Sequence, residues 1–198
     1  MSVEPNYRSQ HIADNPQLYT PARNNNFEFI ITGDVLNKLL KAGVDYAVAN
    51  EDDYITNAQD VLRFSVAECP IPNYEINTIE IKTGNLTTKF AGTATFPSGT
   101  LKFHDFIGAK SKEVLYALQA KAVNIANGGG VAPKEEYAFI GQLIEYNTDF
   151  SKILRTWELR GCWVKGVSES PFQYESDDKR MVDVTIEYDR AIPVPNKD

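Results

Sequence analysis

The chain has 198 residues, with 27 Asp and Glu against 20 Lys and Arg, a net charge of −7, and only two His and two Cys. That length is the size of one domain, and 42% hydrophobic residues supply enough apolar surface to offset chain entropy, which excludes wholesale disorder. The acidic balance excludes a dedicated reader of nucleic acid, which needs a basic patch to neutralise phosphate, and a polybasic membrane-surface protein. No apolar run approaches the roughly 18–20 residues of a bilayer span, and MSVEPNYRSQ has no apolar core for a signal peptide. Cys69 and Cys162 could form at most one disulfide, a count that suits a reducing cytosol with both thiols buried as small hydrophobes.

In chain order, residues 1–26 form an extended arm with five Asn, three Pro and no apolar periodicity. It carries Tyr7, Ile12, Leu18 and Tyr19, spaced like anchors for a neighbour; a frayed terminus would look the same. Residues 27–31 (FEFII) read as the first strand. Asp34 is an N-cap candidate for a short helix near 34–42, with Val35, Leu36, Leu39 and Leu40 on one face and Gly43 as the stop. Residues 44–60, with Tyr46, Tyr54 and the acidic run 51–53, read as an excursion. A strand is expected over 61–67, then a break at Pro70-Ile71-Pro72 that no central strand contains. Residues 76–83 and 86–90 flank Gly84-Asn85, a two-residue hairpin turn. A strand over 101–106 precedes the one long helix, about 110–127. Ser111 is its cap candidate, Val114, Leu115, Leu118, Ala122 and Ile125 form its apolar face, and Gly128-Gly129-Gly130 stops it.

Residues 139–146 form a further strand. In the run 153–164, alternation puts Ile153, Arg155, Trp157, Leu159, Gly161 and Trp163 on one face, with Leu154, Thr156, Glu158, Arg160, Cys162 and Val164 on the other. The last strand turns Val182, Val184, Ile186 and Tyr188 inward and Asp183, Thr185 and Glu187 outward. The expected fold is mainly β: two packed antiparallel sheets forming a sandwich or partly closed barrel, with the helix on its flank. One domain over 27–191 is expected, with residues 192–198 as a tail.

Catalytic patterns are not found. His104 neighbours Asp105, but alternation turns the two to opposite faces, and His11 lies in the arm. Neither Cys has a His at ligand or catalytic spacing. The triple glycine follows a helix, so it offers no helix N-terminus to a phosphate. The acidic runs at 51–53 and 176–178 lack the ligand order of a calcium loop. No enzyme, metal or cofactor is therefore expected. Long strands with polar outer faces have edges to cover, which favours an assembling structural protein; a monomeric β-sandwich binding module for carbohydrate or another ligand, with Trp157 or Trp163 as platform, is the contrasting reading.

The order of parts over 100–191 is distinctive. A strand leads into the helix, then to a Gly-rich loop with Lys134-Glu135-Glu136-Tyr137, the strand 138–146 and the turn Asn147-Thr148-Asp149. Leu154-Arg155-Thr156-Trp157-Glu158-Leu159-Arg160-Gly161-Cys162-Trp163 follows, then Val167-Ser168-Glu169, Phe172-Gln173-Tyr174 and an alternating strand ending Tyr188-Asp189. This pattern resembles the tail tube proteins of contractile-tailed bacteriophages, relatives of type VI secretion and contractile bacteriocin tube proteins. With residues 64–90 included, the resemblance spans most of 61–191. It implies a structural virion protein of the phage tail, made in the host cytoplasm, with the tube protein of a type VI secretion or bacteriocin-like contractile device as the alternative. Six copies would form a ring, and rings would stack into a homohexameric tube around a channel for genome ejection. The implied partners are further copies, sheath, baseplate or tube initiator and tail terminator, with double-stranded DNA passing without specific binding and no membrane anchoring. A ring would carry 6 × −7 = −42, a sign that repels phosphate. Glu158, Asp183 and Glu187 are lumen-facing candidates, although ordinary solvent-facing positions show the same alternation. Tyr7, Ile12, Leu18, Tyr19, Tyr46 and Tyr54 are inter-ring contact candidates.

Overall fold

The computed structural model describes residues 23–32, 58–106, 111–125, 128–174 and 178–195, with positions 21 and 36. In chain order its elements are β1 (Phe27–Thr32), α1 (Ala58–Ser65), β2 (Val66–Glu68), β3 (Glu75–Thr83), β4 (Leu86–Thr95), β5 (Gly99–His104), α2 (Ser111–Ala122), β6 (Val123–Asn124), β7 (Gly130–Val131), α3 (Lys134–Tyr137), β8 (Phe139–Tyr146), β9 (Ile153–Glu169), β10 (Met181–Glu187) and β11 (Arg190–Val194). The expected helix near 34–42 and the excursion 44–60 lie outside the described residues, apart from Leu36, which is buried, and residues 58–60, which open α1.

Seven strands make one curled antiparallel sheet in the order β1-β8-β9-β10-β5-β2, with β11 also paired to β9. At 17 residues, β9 serves both halves: its first part pairs with β8 and β11, its last part with β10. The sheet therefore folds over itself into two layers around one core. Phe29, Leu143 and Leu159 meet Leu101, Phe103, Val182 and Val184 there, and Phe103, Val182 and Val184 are 0% exposed. Burying side chains of this size contributes about 1.5–3 kcal/mol each. The mainly β, two-layer, partly closed barrel expected from alternation is what the chain forms.

The phase of β9 differs from strict alternation, and Gly161 is the reason. Gly141 pairs with Leu159 and Phe139 with Cys162, so three residues of β9 face two of β8. This bulge moves Cys162 and Val164 onto the same core side as Leu159, while Trp163 turns outward. Gly161 holds φ +69°, a left-handed conformation favouring glycine. Downstream, Val164 pairs with Ile186 and Gly166 with Thr185, leaving Lys165 as a second extra residue.

Two further expectations are corrected. Residues 58–65 form a helix, where a strand was expected over 61–67. Leu62 enters the core at 2% exposure, Phe64 is 72% exposed, and Ser65, 1% exposed, donates its Oγ hydrogen back to the Val61 carbonyl at 2.6 Å. The long helix ends at Ala122, five residues short of the expected end. Its chain turns into β6, which pairs with β7, so Ile125 is 85% exposed and not on an apolar face. Val114, Leu115, Leu118 and Ala122 are buried as expected. Ser111 is the first helical residue, and its hydroxyl donates to the His104 carbonyl at 3.2 Å, tying α2 to β5.

α1 is held to β1 by a polar latch. Arg63 Nη2 and the Tyr146 hydroxyl both donate to Glu28 Oε2, at 2.7 and 3.0 Å. Burial first, then the bond to Glu28, raises the Tyr146 phenol above its ordinary value of 10.0. The resulting stability is fully present below about pH 10 and is lost as pH rises through the raised value. Tyr146→Phe is expected to cost about 1 kcal/mol and to flatten this alkaline loss, as read by urea unfolding at pH 8 and above pH 10.

Candidate assembly surfaces

The β3–β4 hairpin is a two-stranded sheet of its own, separate from the seven-stranded one. Its two-residue turn opens on Gly84 at φ +62°, the sign a type II′ turn demands at that position. Register places Ile79 opposite Phe90, Ile81 opposite Thr88 and Thr83 opposite Leu86 on one face. Thr78, Glu80, Lys82, Thr87, Lys89 and Ala91 take the other, where Glu80 and Lys89 pair at 3.3 Å. Ile79, Ile81, Leu86 and Phe90 are 53%, 51%, 76% and 51% exposed. An isolated two-stranded hairpin is marginal in water, and a contiguous exposed apolar stripe marks a contact surface. The sequence announces the hairpin through its turn and its alternation. Nothing local says that, among the described residues, no second layer covers the apolar face.

The three lumen candidates all turn away from the core, on two different halves of the sheet. Asp183 and Glu187 project from β10 between the buried Val182, Val184 and Ile186. Asp183 lies opposite Lys102, and Glu187 pairs with Lys165 Nζ at 2.6 Å. Glu158 sits in the other half, opposite Gln142 and Ile192, and is ion-paired to Arg160. The inter-ring candidates Tyr7, Ile12, Leu18, Tyr19, Tyr46 and Tyr54 lie outside the described residues.

Among the described residues, no group of three or more His, Cys, Asp or Glu could hold a metal ion, and no helix is long and apolar enough to cross a membrane. His104 stacks obliquely on Phe106, with centroids 5.6 Å apart. Both cysteines are free, and burial pushes each thiol up to about 12. Trp157 packs against the core, and Trp163 meets Tyr137 edge-on at 6.1 Å, so both indoles are half-buried. A flat, open aromatic platform would expose them further. A cluster joins the end of β5, α2, the end of β9 and the segment before β10: Arg180 lies 3.3 Å from Asp105 and 2.7 Å from Glu169, and its guanidinium covers Phe172 at 4.2 Å. It fastens loops to the barrel.

No family model matches the sequence, and no curated protein matches it. Solved structures do. The structure of the anti-feeding prophage cap, a tube-terminating cap, superposes with a TM-score of 0.60 at 14% identity, over 89% of this chain and 92% of the other. The sheath/tube terminator of the extracellular contractile injection system PVC gives 0.59 at 15% identity, over 90% and 99%. Its extended sheath-tube complex gives 0.57 at 15%, over 94% and 97%. At such identities the likeness is one of fold. The chain has the tail-tube type of fold found in contractile injection systems.

Proposed function

We propose that the chain is a structural subunit of a phage-type tail tube, assembling as hexameric rings that stack around a channel for genome ejection. The observation that carries the assembly is the β3–β4 hairpin, whose apolar stripe stands exposed among the described residues. A second copy covering it would remove that exposure, and the −7 charge favours contact through this segment. Residues 75–95 hold Glu75, Glu80, Lys82 and Lys89, so they sum to 2 − 2 = 0. Neutral elements can meet where whole subunits repel.

The proposed partners are further copies, the contractile sheath, the baseplate or tube initiator and the terminator, in the tail of a virion. The tube domain expected over 27–191 runs in this reading to Val194, because residues expected to open a tail at 192 pair with β9 in β11, and the arm 1–26 and the excursion 44–60 serve as ring-to-ring contacts. The tube of an extracellular contractile injection device is the second reading, favoured by the systems whose solved structures share the fold. The two share their contacts and differ in cargo. Sedimentation of the purified chain at rising concentration tests the assembly: six-chain rings and longer species are expected, and a single 22.2 kDa species throughout would overturn it.

A further inference from the structure

Each half of the curled sheet turns one face to the shared core and the other outward, and the two outward faces differ in chemistry. On the half made of β1, β8, β9 and β11, one row aligns Ile30, Gln142, Glu158 and Ile192, and the next aligns Glu28, Ile144, Thr156 and Val194. With Ile140, that face carries five large aliphatic side chains. On the half made of β9, β10, β5 and β2, Asp183 lies between Lys102 and Ser168, and Thr185 lies between Thr100 and Gly166. Lys102 pairs with Glu68 at 2.7 Å and Lys165 with Glu187 at 2.6 Å. Its larger apolar groups, Trp163 and Met181, are half-buried.

We propose that this second, polar outward face is the wall of the channel, an inference that rests on the tube reading above. A channel wall stays wet and must let cargo slide. Apolar patches hold passing macromolecules, and unpaired lysines hold phosphate. The β10 face offers neither, because both lysines are occupied by carboxylates of the same face. Its charged groups, Glu68, Asp183 and Glu187 against Lys102 and Lys165, sum to 2 − 3 = −1 per copy. A ring then lines its channel with 6 × −1 = −6, a small part of the −42 of six whole chains. The wall releases cargo by pairing its charges locally, not through a strong negative field. The two layers of a sandwich present opposite outer faces, so the aliphatic face points away from the axis. Asp183 and Glu187 are thus channel residues, and Glu158, on the aliphatic face, is not.

Single cysteines test the assignment: Thr185→Cys on the polar face and Thr156→Cys on the aliphatic face, with Ser168→Cys as a second polar-face position should Thr185→Cys fail to assemble. The native thiols, Cys162 buried and Cys69 half-buried, are both raised to about 12 and react slowly, and wild type gives the background. Each variant is treated, as tubes and as dissociated subunits, with N-ethylmaleimide and with a maleimide carried on serum albumin. In tubes, albumin labelling of Thr185→Cys is expected to fall about tenfold or more while N-ethylmaleimide still reacts, because access controls the rate. Thr156→Cys keeps both reactions. Unchanged albumin labelling of Thr185→Cys, loss of its small-reagent labelling, or shielding of Thr156→Cys instead would overturn the inference with the tube reading intact. If wild type forms no rings or tubes, the tube reading fails and this assignment falls with it.

Discussion

Replacing Ile79 and Phe90 together by Asp is expected to raise the concentration needed for tube growth at least about 100-fold and to leave the melting temperature within about 2 °C of wild type. The two residues face each other across the hairpin, each about half exposed, so neither supports the core. In an assembled interface they would be desolvated. A carboxylate placed there costs 2 kcal/mol or more per site, and roughly 2.7 kcal/mol is already a factor of 100. Thr87→Asp adds a charge to the opposite face of the same hairpin and is expected to assemble normally. Light scattering against concentration reads the growth, and calorimetry reads the stability. Growth of the double variant at wild-type concentrations would remove the hairpin from the assembly. A large fall in melting temperature would show that it belongs to the domain's own core.

Gly161→Ala is expected to destabilise the domain by about 2 kcal/mol and lower its melting temperature by about 4–8 °C. Two costs add. A side chain at φ +69° gives up roughly 1–2 kcal/mol in the left-handed region. Its Cβ would also run into the Asp189 carboxylate, whose two oxygens accept from Lys134 Nζ at 2.6 and 2.7 Å. Moving Asp189 breaks that exposed pair, a loss of at most about 1 kcal/mol. Asp189→Ala clears the crowding atoms beyond Cβ, so the double variant recovers part of the loss and keeps the backbone strain. Urea unfolding measures both. A Gly161→Ala protein as stable as wild type would mean that the bulge relaxes elsewhere along β9.

Strands that alternate over a full length were legible from sequence. Phe27–Thr32, Phe139–Tyr146 and Met181–Glu187 bury the residues that a period of two selects. The failures have physical causes. A one-residue bulge is invisible to alternation, so residues beyond Gly161 were assigned to the wrong faces of β9. The run at 58–65 is too short for periodicity to separate helix from strand, and its packing through Leu62 decides. β11 contains Pro193, which sits opposite Trp157 on a strand paired to β9 alone, the kind of edge position a proline tolerates. For the site, alternation correctly turned Glu158, Asp183 and Glu187 away from the core. It could not separate them, because which half of the sheet a residue joins depends on pairings far apart in sequence, such as Asp183 with Lys102.

Electron microscopy of the purified chain at high concentration reads the assembly itself. Six-fold rings with an open centre, stacked into tubes, are expected, with density for residues 75–95 reaching from each subunit onto a neighbouring copy. Monodisperse single subunits, or assemblies in which the hairpin touches nothing, would contradict it.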